Sequence, residues 1–209
     1  MHTKIKICGI KDINEIEFIN QMDIDYIGFV FAKSIRQIDV DQARLLSNAL
    51  KDGIKKVGVF VDHSVAEINS IVKNVGLDIV QVHKNYTQDM IADIQKPVWY
   101  GIGIKDENSI ALANKASKYK NVAAIVTDTY IKGMEGGTGK AFNWDMLSGI
   151  SQDTNLVLAG GLNAENIESA IATVHPQVVD VSSGVETTEN GITMKSKDKI
   201  EQFLRKARK

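Results

Sequence analysis

Eight short runs of β-branched and other apolar residues recur along this chain: Lys4 to Cys8, Tyr26 to Phe31, Val57 to Val61, Asp78 to Val82, Val98 to Gly101, Val122 to Val126, Leu156 to Ala159 and Val178 to Val181. Each is nearly continuous in hydrophobicity, the pattern of parallel strands covered on both faces. Between them lie segments with apolar residues three and four apart, such as Ile13, Ile16, Phe18, Ile19 and Met22, or Ile110, Leu112, Ala113 and Ala116, which read as amphipathic helices. Asp12 signals the start of the first helix, Ser64 with Glu67 forms a capping box before the third, and Asn163 with Asn166 precedes the seventh. The basic last turn of Lys197 to Lys209 suits a helix C-terminus. Strand then helix, repeated eight times at about 25 residues per unit, is the sequence form of a (β/α)8 TIM barrel with eight parallel strands, a fold whose lower size limit is about 200 residues. A length of 209 residues leaves little for insertions, so one barrel domain is expected over residues 1–209. A doubly wound open sheet competes, but it has fewer strands and a glycine-rich first turn, whereas the first turn here is Cys8-Gly9-Ile10-Lys11.

Charge and cysteine content exclude several function classes. With 25 basic and 26 acidic side chains the net charge is -1, so no broad positive field awaits a polyphosphate, and nucleic acid is not an expected partner. A single cysteine excludes an internal disulfide and a multi-thiolate metal site. Met1, His2 and Thr3 run into the alternating Lys4, Ile5, Lys6, Ile7 without an apolar targeting core, and no window reaches the roughly 18 to 20 apolar residues of a membrane span. A cytoplasmic monomer is the expectation. In Gly136-Gly137-Thr138-Gly139-Lys140 the lysine precedes Ala141, and Met134 stands where a Walker loop needs its first glycine, so ATP binding is not supported.

Barrel active sites form at the C-terminal ends of the strands. Those ends carry Cys8, then Ser34 and Arg36, Asp62, Gln81 with His83, Asp128, Gly160 with Gly161, and Asp180 with Ser182, Ser183 and Gly184. The last two groups are loops after strands 7 and 8, where barrels frequently bind phosphate. Small residues there leave backbone N–H groups open to an anion, and a following helix adds positive partial charge. Taken singly, such glycines also serve tight turns. A lone cysteine likewise reads as a small buried apolar residue, Asp128 as a loop brace, Arg36 as a solvated cation and His83 as a hydrogen-bonded structural group.

Together these segments resemble a family. Lys6-Ile7-Cys8-Gly9-Ile10, Gly28-Phe29-Val30-Phe31 with Ser34 and Arg36, Gly58-Val59-Phe60-Val61, Val80-Gln81-Val82-His83, Asp128, Gly136-Gly137-Thr138-Gly139, Leu158-Ala159-Gly160-Gly161-Leu162 and Asp180 through Glu186 follow the order found in phosphoribosylanthranilate isomerase of tryptophan biosynthesis. The resemblance implies an Amadori rearrangement of a phosphorylated aminosugar without metal or organic cofactor. It implies Asp128 as acid and Cys8 as base, Arg36 on the anthranilate carboxylate, His83 and Asp180 in the substrate pocket, and Gly160, Gly161, Ser183 and Gly184 around the phosphate. Near neutral pH the acid must hold a proton and the base must lack one, the reverse of a free aspartate at about 3.9 and a free thiol at about 8.5. Burial would serve the first and a nearby positive charge the second.

Four departures from the family pattern stand out: Ile35 for a proline before Arg36, Lys84 for a glycine, Thr129 for a serine, and Asn143 for an aspartate before Trp144. None removes a reacting group. Indole-glycerol-phosphate synthase would be expected to carry lysines and glutamates at the strand ends, and a histidine-pathway isomerase an aspartate at position 8. A non-enzymatic barrel that binds a phosphorylated metabolite is the remaining alternative.

Overall fold

The computed structural model of the chain describes residues 2–83, 86–128 and 144–209. Eight parallel strands close on themselves: β1 Lys4–Cys8, β2 Tyr26–Val30, β3 Lys55–Phe60, β4 Ile79–His83, β5 Val98–Gly103, β6 Val122–Asp128, β7 Leu156–Ala159 and β8 Val178–Val181. The ring is sealed where β1 meets β8, with Lys4 beside Val178 and Lys6 beside Asp180. All eight expected runs are strands; β1, β7 and β8 match to the residue and the other five differ at their ends by one or two residues.

Strand alternation divides the apolar side chains into two layers. Ile5, Ile7, Ile27, Phe29, Phe60, Val80, Val82, Val98, Ile125, Leu158, Val179 and Val181 point outward and pack with the helices. Tyr26, Val57, Ile79, Trp99, Ala124, Val126, Val157 and Val178 fill the lumen, where Tyr26 and Trp99 meet edge to face at 5.0 Å. Fully burying each large apolar side chain contributes about 1.5–3 kcal/mol, so the lumen is a packed floor beneath the mouth.

Seven α-helices lie among the described residues: α1 Ile13–Ile19, α2 Val40–Ala49, α3 Val65–Val75, α4 Gln88–Ala92, α5 Glu107–Ala116, α6 Ile167–Val174 and α7 Lys197–Ala207. Asp12 with Glu15 and Ser64 with Glu67 form capping boxes, and Gly76 ends α3 at φ 72°, a left-handed geometry that glycine adopts without strain. Two helix expectations need correction. Between β6 and β7 the described residues hold a single 3-10 turn, Trp144–Gly149, and no α-helix. Asn163 and Asn166 bond reciprocally, the Asn163 N–H to Asn166 Oδ1 at 2.9 Å and the Asn166 N–H to Asn163 Oδ1 at 3.2 Å, which builds a turn ahead of α6 rather than its cap.

One element was unforeseen. After a 3-10 turn at Ser183–Val185 the chain makes an antiparallel hairpin, β9 Glu186–Glu189 and β10 Ile192–Lys195, before entering α7. Asn190 at φ 50° and Gly191 at φ 77° form its two-residue turn, the geometry that Asn-Gly favours. The glycine run at residues 136–140, with Lys84, Thr129 and Asn143, lies outside the described residues. No helix among the described residues is long and apolar enough to cross a membrane.

Candidate active site

The alternation that sends Ile79, Ala124, Val126 and Val178 into the lumen also sends in Gln81, His83, Asp128 and Asp180, which lie two or four residues further on. Lys6 and Cys8 share the lumen face of β1. Register makes several of these groups neighbours: Asp128 is beside Ala159, Ala159 beside Asp180, and Asp180 beside Lys6. On the other flank Gly103 is beside Asp128 and Gly101 beside His83. A Cβ at Gly101 would lie 2.6 Å from His83 Nδ1, so the missing side chain is what admits the imidazole.

Lys6 is entirely buried, and its Nζ donates to Asp180 Oδ2 at 2.7 Å. Burial, the largest single influence, works against its charge, but the Asp180 carboxylate and the Cys8 sulfur together outweigh burial and raise the ammonium's pKa. Cys8 departs from the lowered value that a base requires. Burial pushes its thiol up, while Lys6 and Lys195 pull down without overcoming it. Burial also depresses His83, against the attraction of Asp128, so the ring is neutral near pH 7.

Arg36 reaches the mouth from the loop after β2. Its backbone N–H donates to Ser34 Oγ at 3.1 Å and Gln37 Nε2 donates to the Phe31 carbonyl at 2.9 Å, so the loop is braced although Ile35 replaces the family proline. A Cβ at Gly9, itself at φ 85°, would lie 2.6 Å from Arg36 Cδ, so glycine there lets the arginine stem cross the end of β1. The fork is engaged: Nε and Nη2 each donate to Glu186 at 2.6 Å. Lys195 Nζ donates to the same carboxylate at 2.7 Å and to Ser182 Oγ at 3.3 Å. Ser182 Oγ in turn donates to the Cys8 carbonyl at 3.0 Å. Burial would raise Glu186, yet the hydrogen bonds from Arg36 and Lys195 hold it at about 2. The hairpin delivers Lys195 to this network, and Glu15 of α1 pins it by accepting the Lys195 N–H at 2.8 Å. Sequence reasoning missed Lys6, Glu186 and Lys195 as site groups; the spacing of two between Lys6 and Cys8 signals the first, and the Asn-Gly turn signals the pairing of the other two.

The two loops after β7 and β8 touch. Gly160 and Gly161 adopt φ 90° and 64°, and nothing lies within 4 Å of a Cβ placed on Gly161. A Cβ on Gly184 would overlap the Leu162 carbonyl oxygen, so the loop of Ser183 and Gly184 packs directly on the Gly160–Gly161 loop. The helix expected directly after β8 is the short 3-10 turn, and α7 follows only after the hairpin.

A parallel eight-stranded barrel with a thiol, an imidazole and carboxyl groups gathered at its C-terminal mouth defines a TIM-barrel enzyme of the acid–base kind. The family profile described as N-(5'-phosphoribosyl)anthranilate (PRA) isomerase matches residues 5–206. The chain belongs to that family. An N-(5'-phosphoribosyl)anthranilate isomerase of Thermoanaerobacter sp. (strain X514) is 44% identical over 206 residues, covering 98% of each chain, and one of Listeria welshimeri is 40% identical over 205, again covering 98% of each. Among solved structures, phosphoribosyl anthranilate isomerase from Thermotoga maritima is 34% identical with a TM-score of 0.86, covering 98% of both chains. A phosphoribosyl anthranilate isomerase in complex with reduced 1-(o-carboxyphenylamino)-1-deoxyribulose 5-phosphate is 32% identical with a TM-score of 0.83, covering 98% of both chains.

Proposed function

We propose that this chain, as one barrel domain in the cytoplasm, converts N-(5-phosphoribosyl)anthranilate to 1-(2-carboxyphenylamino)-1-deoxyribulose 5-phosphate in tryptophan biosynthesis. The observation that carries the reading of the site is the inward parity of Cys8, His83, Asp128 and Asp180 at one mouth, in a chain of this family. Asp128 gives a proton to the ribose ring oxygen, the C1–O bond breaks, and the anilinic nitrogen's electron pair forms the C1=N iminium. Cys8 as thiolate removes the proton on C2, and those electrons neutralise the iminium to give an enol. The enol becomes the ketone as C1 takes up a proton and the 2-hydroxyl gives one up, which restores both side chains.

Other groups bind. Asp180 commits Oδ2 to Lys6, while Oδ1 is buried with no hydrogen-bond partner among the described residues, an acceptor suited to a substrate hydroxyl. Neutral His83 lines the pocket. The touching loops of Gly160, Gly161, Ser183 and Gly184 cradle the phosphate. Arg36 takes the anthranilate carboxylate by exchanging part of its fork from Glu186, which keeps Lys195.

Purified protein consuming the fluorescent anthranilate-sugar tests the reaction, and no turnover at high enzyme concentration overturns it. Cys8→Ala and Asp128→Ala are each expected to lower kcat at least about a hundredfold with KM largely kept; near-wild-type turnover removes that residue from its role. A monomer is proposed for this chain. The Thermotoga maritima relative is described as dimeric, and sedimentation at assay concentration decides between the two states here.

A further inference from the structure

Lys6 has no part in the steps above, yet an ammonium excluded from solvent is costly to keep where Val57, Val126 and Val157 fill the same lumen cheaply. Its side chain converges on the thiol. A Cβ on Gly28 would lie 2.8 Å from Cys8 Sγ and 3.2 Å from Lys6 Cε, so both occupy the cleft that this glycine leaves open. One ammonium N–H goes to Asp180 Oδ2 at 2.7 Å, and the end of the lysine stem lies in the same cleft as the Cys8 sulfur, close enough for the charge to act on it.

We infer that Lys6 is a positioning residue of the isomerisation: held by Asp180, it stabilises the thiolate form of Cys8. The inference rests on the reading of Cys8 as the base. Cys8 is half-buried, so a thiolate formed there loses part of its hydration, and the fixed ammonium beside it makes up for that loss. The other charged groups acting on Cys8 are Asp180 on β8, which opposes the thiolate, Lys195 on β10, which favours it at longer range, and Arg36 from the loop after β2. Lys195 and Arg36 share the charge of Glu186, whereas the stem of Lys6 shares the Gly28 cleft with the sulfur itself.

Because Cys8 is the chain's one cysteine, iodoacetamide reports on it alone. The rate of alkylation is measured against pH in the full-length protein without substrate. In Lys6→Met the inflection is expected to rise by about one pH unit and the rate at pH 7.5 to fall at least about threefold, after allowance for the greater nucleophilicity of a more basic thiolate. Lys6→Met leaves Asp180 buried and unpaired, so Lys6→Met/Asp180→Asn, a neutral pair of similar size, is measured beside it and is expected to show a rise of the same sign but smaller, because the opposing Asp180 charge is lost as well. The wild type supplies a third measurement that needs no variant: the Lys6 15Nζ resonance moves at the pH where Cys8 becomes alkylatable, and the step vanishes after alkylation. An unchanged inflection in a folded variant, or an Nζ resonance indifferent to Cys8 ionisation, overturns the inference. If Cys8→Ala keeps its turnover while the inflection moves, the base assignment fails and the Lys6–Cys8 coupling stands.

Discussion

Replacing Glu186 by glutamine tests the charge network at the mouth of the barrel. Its carboxylate accepts three hydrogen bonds, two from Arg36 at 2.6 Å and one from Lys195 at 2.7 Å, and its side chain is 8% exposed. A carboxyl moved from 4.5 to about 2 corresponds to about 3 kcal/mol at neutral pH. Arg36 is 26% exposed, and solvent screening there brings the expected contribution to about 2 kcal/mol. The folded value lies below the unfolded one, so the contribution is fully present above about pH 4.5 and is lost as pH falls from there toward 2. Urea unfolding of wild type and Glu186→Gln should therefore differ by about 2 kcal/mol at pH 7, by nearly as much at pH 5, and by less than half as much at pH 3. In melting temperature the neutral-pH difference is about 4–8 °C for a chain of this size. A difference below about 0.5 kcal/mol at pH 7, or one that persists undiminished at pH 3, would refute the argument that paired charge rather than packing holds this corner.

Arg36→Lys loses the two-pronged geometry, so KM is expected to rise with kcat largely kept; an unchanged KM in the anthranilate-sugar assay places Arg36 outside the binding site. Gly184→Ala drives a methyl group into the Leu162 carbonyl and forces the two loops apart; a KM rise of at least about tenfold, with weaker inhibition by inorganic phosphate, is expected, and wild-type kinetics would separate these loops from phosphate binding. Trp99→Ala empties the lumen floor against Tyr26; a loss of about 3–5 kcal/mol by urea unfolding is expected, and a loss below about 1 kcal/mol would show that the lumen collapses to fill the space.

How far the sequence disclosed all this depends on which features are local. The eight strands were legible because β-branched runs such as Val178 to Val181 carry their own signal, and the strand-end positions of Cys8, His83, Asp128 and Asp180 came with them. Parity is also local: Lys6 shares a strand face with Cys8, but a lysine in an alternating Lys-Ile-Lys-Ile stretch reads as solvent-facing until β1 is known to be sealed between β2 and β8. The stretch Glu186 to Glu189 is too polar to register as a strand, so the pairing of Glu186 with Lys195 stayed hidden although Asn190-Gly191 marked the turn that creates it. Arg36 meets Glu186 across 150 residues of chain, and Gly101 makes room for His83 one strand away; neither relation leaves a trace in local spacing. Register and closure convert strand ends into a site. In a chain of net charge -1 they also create a strong local field for an anionic substrate, by concentrating Lys6, Arg36 and Lys195 at one mouth and setting Asp180 and Glu186 to fix where each cation points.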